Sequence, residues 1–300
     1  MRKISGDNQS FVGIIYAVIA FASWGVLPLY WKLLANIPAE EILASRIIFA
    51  FAIVFSILAY KKHLYKLKEI LINKEKLFPT IFSAIMISIN WFVYIWAVKS
   101  NKLIEVSLGY YINPLIVVLL GMLVLKERLS RIQLLSLFLA AIGVAVMTMS
   151  YGKMPWISLT LAFSFGIYGL AKKIIKTESI VSLGVETLIM LPIAVSFLFY
   201  KGLSSSQSIM AIKYSSALLL PFTGVATAGP LICFAEAAKR IPLSMLGFLQ
   251  YIYPTLSLLI GIFIFKEEFT KAHLIGFAFI WLGLIIYSLS QFRVEKTTDS

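Results

Sequence analysis

Two charged side chains that fall inside long apolar runs, Arg46 and Glu186, carry the strongest chemical signal, and they stand 140 residues apart. An ionised group at mid-bilayer costs about 2.5–3.5 kcal/mol on insertion scales and persists mainly where it is paired or put to use. The two suit matching gates at the two sides of a membrane, and Glu186 could also relay a proton. A structural bond to a neighbouring polar group accounts for either equally well. Asn90 and Tyr94 share one helical stripe, and an amide in hydrocarbon needs a partner or water, so that stripe should face inward. Two further segments, Gly109-Tyr110-Tyr111-Ile112-Asn113-Pro114 and Leu249-Gln250-Tyr251-Ile252-Tyr253-Pro254, each carry a proline that lacks an N–H and clashes with the preceding turn. Pro114 and Pro254 therefore predict helices bent or broken near their middles, with the carbonyls of Tyr110 and Gln250 deprived of their usual partner. Ser107, Tyr111 and Pro114 lie on one face, as do Gly247, Tyr251 and Pro254. With Tyr110, Asn113 and Gln250 in the same segments, and Trp24 and Tyr168 at nearly equivalent places elsewhere, these residues are candidate walls of a binding cavity. Packing kinks with interfacial tyrosines are the competing explanation.

The elements that must hold these residues are membrane helices. The chain has 300 residues, 60% of them hydrophobic and 14% charged, with a mean hydropathy of +0.91. A water-soluble domain could not carry that composition without an adhesive surface. At about 20 apolar residues per crossing, ten spans emerge: 12–34, 40–60, 77–98, 103–124, 131–150, 155–173, 180–200, 214–237, 242–265 and 271–291. The second half repeats the first. Tyr111, Pro114, Gly121, Lys126, Glu127 and Gly143 fall on Tyr251, Pro254, Gly261, Lys266, Glu267 and Gly283 with a shift of 140, while Ser23, Gly25, Leu29 and Lys32 fall on Ser164, Gly166, Leu170 and Lys173 with a shift of 141. Residues 1–150 and 151–300 are thus two five-helix units. An odd number of spans in each requires that they face opposite ways in the bilayer, the plan of many secondary transporters. The expected fold is all-α and polytopic, with ten transmembrane helices in two inverted repeats.

Lys and Arg near span ends are retained in the cytoplasm. They concentrate in segments that lie inside when both termini are inside, above all the loop 61–76 with Lys61, Lys62, Lys66, Lys68, Lys74 and Lys76. This loop reads as a solvated topology signal rather than as an amphipathic interfacial helix. The net charge of +13 then reflects topology and anionic lipid rather than nucleic acid. The stretch before the first span lacks the pattern of a removable signal peptide, so that span should stay in the mature protein. One cysteine, Cys233, and two distant histidines, His63 and His273, offer neither a disulfide nor a metal cluster. No phosphate-cradling G-x-x-x-x-G-K-[ST] loop is present. No cofactor is implied, and an intramembrane enzyme would need paired carboxylates inside the bilayer, for which Glu186 and Glu236 are the candidates.

The stretches Asn90-Trp91…Ile95-Trp96-Ala97-Val98, Glu105-Val106-Ser107-Leu108-Gly109-Tyr110-Tyr111-Ile112-Asn113-Pro114-Leu115 and Leu246-Gly247-Phe248-Leu249-Gln250-Tyr251-Ile252-Tyr253-Pro254-Thr255 resemble RarD-type members of the EamA family, in the drug/metabolite transporter superfamily. The resemblance covers nearly the whole chain and includes Arg46 after Glu41-Ile42-Leu43-Ala44-Ser45, and Glu186-Thr187-Leu188 before Pro192. Val106 and Ser45 depart from the residues common in that pattern. The resemblance implies a ten-helix basket around a central cavity lined chiefly by spans 1, 3, 4, 6, 8 and 9. The expected function is alternating-access transport of a small organic solute across the cytoplasmic membrane. A lipid-handling protein or scaffold that transports nothing is the alternative, and proton coupling and homodimerisation are both compatible with the sequence.

Overall fold

The computed structural model describes residues 6–34, 37–99, 102–152, 154–175, 177–204, 218–265 and 270–298. Helices account for almost all of this chain: α1 Gly6–Leu33, α2 Ala39–Tyr60, α3 Leu64–Ile72, α4 Lys74–Lys99, α5 Leu103–Leu123, α6 Arg131–Tyr151, α7 Trp156–Ile174, α8 Ser179–Ser204, α9 Leu220–Arg240, α10 Leu243–Leu249, α11 Ile252–Ile260 and α12 Lys271–Thr298. Among the described residues nine helical segments are long and apolar enough to cross a membrane, and α5 adds a shorter apolar stretch at Leu108–Leu123. With no water in the bilayer core, backbone groups must be satisfied within each segment, which is why the apolar runs become helices. Their outward faces carry Phe11, Phe92, Phe138, Phe199 and Phe263, all exposed, as a lipid-facing surface requires. This is an all-α, multi-pass membrane protein.

Polar contacts sort the helix ends into two sets. Lys66 in α3 meets Glu178 before α8, Lys173 near the end of α7 reaches the carbonyls of Ala238 and Ile241 at the end of α9, and Glu127 after α5 accepts from the backbone of Leu243 and Ser244 at the start of α10. These ends, with the Lys-rich α2–α3 connection, form what we call the basic end. At the far end, Tyr30 of α1 donates to Leu219 before α9, Lys201 of α8 pairs with Glu41 of α2, and Ser158 of α7 donates to the Glu105 carbonyl of α5. Helices matched by the 140-residue shift therefore run in opposite directions: α2 descends from the far end while α8 rises towards it.

Packing follows the same relation. The helix α1 lies on α9 as α7 lies on α4, whereas α6 pairs with α12 and α5 with α10. Glycines show the correspondence atom by atom. A methyl group at Gly25 would come within 2.7 Å of Leu256 Cβ, and one at the matching Gly166 within 2.9 Å of Ile116 Cγ2. Gly143 abuts Gly276 and Ile280, and Gly283 abuts the equivalent Ser136 and Ala140. Small residues allow this close approach between helices that lack a hydrophobic driving force in lipid.

Two sequence expectations need correction. The loop 61–76 holds the amphipathic helix α3, which buries Leu67 and Ile70, with Leu67 packed near Gly184 of α8; a solvated loop would leave both exposed. Pro114 does not interrupt its helix, because α5 runs through it; proline's φ is itself helical, and the loss of one N–H is tolerable where neighbours pack tightly. The ninth span does break, at Gln250–Tyr251, between α10 and α11. There the Gln250 carbonyl, which Pro254 cannot serve, accepts instead from the Tyr253 N–H at 3.1 Å. The eighth span lies at Leu220–Arg240, and its expected first residues 214–217 fall outside the described residues, as do Lys266, Glu267 and Glu268.

The Lys66–Glu178 contact ties α3 to the bundle and lies outside the spans. The bond from Lys66 holds the Glu178 carboxyl below the usual carboxylate range. A carboxyl lowered in the folded state stabilises above its unfolded value, about 4.3, and that contribution vanishes as pH falls through the lowered value. Hydrogen exchange over 64–72, divided by the intrinsic rate at each pH, should therefore rise as pH falls below about 4.3. In Glu178→Gln that ratio should already be raised at neutral pH and lose this acid-dependent increment.

Candidate functional site

A cavity of ≈ 110 Å³, or ≈ 790 Å³ with its open mouth included, lies between the two halves and is walled by α1, α2, α4, α5, α7, α9, α11 and the turn before α11. Its wall residues, among them Trp24, Leu27 and Trp31 of α1 and Asn90, Trp91 and Tyr94 of α4, occupy the middles and far-end halves of their helices. Aromatic side chains and carboxamides make up most of the surface. Among the described residues Arg46 is the sole charged side chain in the wall, and no carboxylate lines it.

Arg46 enters from α2, half-buried. Its Nε donates to Thr227 Oγ1 at 3.0 Å, and the guanidinium carbon lies over the rings of Trp31 and Trp91 at 5.1 and 5.0 Å. The Thr227 hydroxyl donates in turn to the Thr223 carbonyl at 2.7 Å, which aims its lone pairs at Arg46. One edge of the guanidinium is thereby fixed.

The walls are braced where α5 crosses the α10–α11 break. Asn113 donates to the Ala162 carbonyl at 2.7 Å and accepts from Gln250, while Tyr110 packs edge-on against Tyr253 at 4.7 Å between ring centroids. These contacts are symmetry mates, because the 140-residue shift carries Tyr110 to Gln250 and Asn113 to Tyr253. One copy is aromatic and the other amide. Asn90 is likewise committed, donating to the Leu161 carbonyl at 2.9 Å and Ser164 Oγ at 3.1 Å, which satisfies its buried amide nitrogen.

Beneath the cavity, towards the basic end, the two halves meet in a block of aromatic rings. Phe234 touches Phe21, Trp24, Phe165 and Tyr168 at centroid separations of 6.1, 5.8, 5.2 and 6.0 Å. Phe21, Tyr168 and Phe234 have no exposed surface. Under this floor lies a buried polar node. Lys172 Nζ is 2.5 Å from Glu186 Oε1 and donates to Ser182 at 2.9 Å, and Ser83 donates to Glu186 Oε1 at 2.6 Å. Glu186 Oε2 and the Tyr168 hydroxyl are buried without a hydrogen-bond partner.

Of the residues singled out in the sequence, Trp24, Asn90, Tyr94, Tyr110, Asn113 and Gln250 line the cavity, and Arg46 joins them there. Tyr168 belongs to the floor, and Glu186 to the node below it. Tyr111 and Tyr251 are corrections: they point away from the cavity into the packing around α12, where Tyr111 meets the Phe277 ring at 5.0 Å and the two tyrosine hydroxyls make long bonds to the carbonyls of Pro254 and Tyr111. A stripe at i, i+4, i+7 identifies a face but not which neighbour it meets. The Ser107 side chain lies outside those described. Trp31, Trp91 and Tyr253 were missed, since an aromatic residue in an apolar helix is equally at home against lipid.

Nine membrane-length apolar segments and a shorter tenth among the described residues, packed around an open polar-aromatic cavity, make the frame of a membrane transporter. The EamA-like transporter family model matches the chain twice, over residues 11–149 and 153–289, and the chain belongs to that family. It is 45% identical over 292 residues to "Uncharacterized transporter YojE" of Bacillus subtilis, spanning 96% of this chain and 97% of that one. It is 39% identical over 292 residues to "Protein RarD" of Escherichia coli, spanning 97% and 99%, and 40% identical over 289 residues to "Protein RarD" of Salmonella typhi, spanning 96% and 98%. A solved crystal structure superposes with a TM-score of 0.69 at 19% identity, covering 92% of this chain and 97% of its own, a likeness of fold alone.

Proposed function

We propose that this protein is a secondary transporter that carries a small organic solute across the cytoplasmic membrane by alternating access. In this reading residues 1–150 and 151–300 form the two inverted repeats, both termini lie inside, and the basic end faces the cytoplasm. The observation that carries it is the cavity wall in the far-end half, stopped beneath by the Phe21–Phe234–Tyr168 aromatic floor. That arrangement corresponds to an outward-facing state. Exchange of equivalent contacts between antiparallel halves offers the route to its inward-facing counterpart. Glu186, held by Lys172 behind the floor, is placed to change partners during that exchange, and a proton is the natural coupling ion for it.

Accessibility tests the cycle. In a Cys233→Ser background, single cysteines at Tyr94 and Tyr110 should react with a membrane-impermeant maleimide from the outer side of oriented vesicles. Cysteines at Tyr168 and Phe21 should react only from the inner side, and more slowly when outward-facing protein is favoured. Floor positions that never become reactive from within, in vesicles that also show no solute counterflow, would remove the alternating-access reading.

A further inference from the structure

The repeat that matches Arg46 with Glu186 also matches the places around them, and the two copies differ in charge. On the basic side Glu186 meets Ser83 of α4 and Lys172 of α7. On the far side Thr223 of α9 stands at the place of Ser83, Arg46 bonds Thr227 one turn further on, and the 141-residue shift of α1 on α7 puts Trp31 in place of Lys172. The closed node thus holds a cation with an anion. The open one holds a cation against aromatic faces, with no acid.

Arg46 has five N–H donors. Nε is taken by Thr227, and no further hydrogen bond or ion pair to Arg46 exists among the described residues. The four N–H groups of its two terminal nitrogens are left to whatever fills the cavity. Asn90 and Asn113 spend their amide nitrogens on the carbonyls of Leu161 and Ala162, and Gln250, whose nitrogen donates to Asn113, offers the cavity only an acceptor oxygen that has no partner among the described residues. A planar fork with its Nε edge pinned and aromatic rings beside it is pre-organised for a carboxylate, which can take two parallel N–H bonds. One cation without a second nearby matches a single negative charge, and a phosphate dianion would remain half uncompensated. The remaining walls, Trp24, Trp91, Tyr110 and Tyr253, present flat apolar surface to the rest of the molecule.

We propose that the cavity receives a small organic monocarboxylate with a planar or aromatic body, its carboxylate anchored by Arg46 and that arginine positioned by Thr227. This rests on the transporter reading above and adds the charge of the substrate to it. The probes are matched triads of acid, primary amide and amine on one skeleton, such as phenylacetate, phenylacetamide and phenethylamine, extended over a panel of single- and fused-ring bodies and including one aryl phosphate. Binding is read as thermal stabilisation of the purified wild-type protein, and transport as counterflow in proteoliposomes.

The expected result is that acids stabilise the wild type at concentrations about 10- to 100-fold below those needed by their amides, and that amines do not bind. Arg46→Gln should erase the preference for acid over amide, Arg46→Lys should restore part of it, and Thr227→Val should weaken acid binding with little effect on amides. The proposal is overturned if amides or amines bind as well as acids, if the aryl phosphate binds better than every carboxylate, if Arg46→Gln keeps the acid preference, or if no acid in the panel binds. Counterflow of a neutral or cationic solute would defeat the anion assignment while leaving the transporter reading intact. Failure of every solute in a cellular metabolite pool to exchange would defeat the transporter reading itself.

Discussion

Glu186→Ala is expected to lower the melting temperature of the purified protein steeply, and Lys172→Ala to do the same, whereas Lys172→Met with Glu186→Leu should recover most of the loss. Both side chains are 1% exposed, so neither charge can reach water when its partner is removed. Breaking a buried pair from one side costs about 3–5 kcal/mol, because the surviving ion keeps its desolvation penalty and loses its compensation. Replacing both by apolar residues of similar volume removes penalty and attraction together. Ser83 and Ser182, which bond to the pair at 2.6 and 2.9 Å, can turn to backbone carbonyls, so their hydroxyls add little to the residual cost. Single substitutions no more damaging than the double would show that the pair is not coupled in this way. The double variant also separates structure from coupling. If Glu186 relays a proton, refolded Lys172→Met/Glu186→Leu protein should retain counterflow but lose acceleration by an imposed pH gradient.

That experiment bears on how far residue type alone could be read. The spans were legible because a bilayer imposes length and apolarity on every crossing, and the repeat was legible because Tyr111, Pro114 and Gly143 return at a fixed offset. What a single strand of sequence does not encode is which side of a helix meets which neighbour. Tyr110 and Tyr111 are consecutive and chemically alike, yet about 100° of helical rotation puts one in the cavity wall and the other against Phe277. The partner of Glu186 escaped for a related reason: Lys172 sits near the end of α7 among basic residues that resemble a topology signal, and only the packing of α7 against the bundle buries it. Arg46 and Glu186 were singled out because they are charges inside apolar runs. Their different environments, a cavity for one and a closed ion pair for the other, depend on the substitution of Trp31 for Lys172 between the repeats, which becomes meaningful once α1 and α7 are seen to occupy equivalent places.

Phe234→Ala should produce the largest change in the behaviour of the cavity. The ring has no exposed surface and touches four other aromatic side chains from α1 and α7, so its removal takes the centre out of the floor. Truncating a buried phenylalanine costs about 3–5 kcal/mol where the surroundings cannot collapse, and rigid rings held by two crossing helices collapse poorly. Part of that loss should appear as a lower melting temperature. The more telling consequence is a changed permeation pathway, because the floor lies between the cavity and the polar node at Lys172 and Glu186. Vesicles carrying Phe234→Ala should leak a small neutral solute that the wild type retains, and a cysteine at Tyr168 should become reactive from the cavity side. Phe234→Leu, which keeps bulk while removing the ring, should be nearly as tight as wild type. If the alanine variant is destabilised yet remains impermeable and Tyr168→Cys stays shielded, the aromatic block serves packing alone, and the barrier between the two sides must lie elsewhere in the bundle.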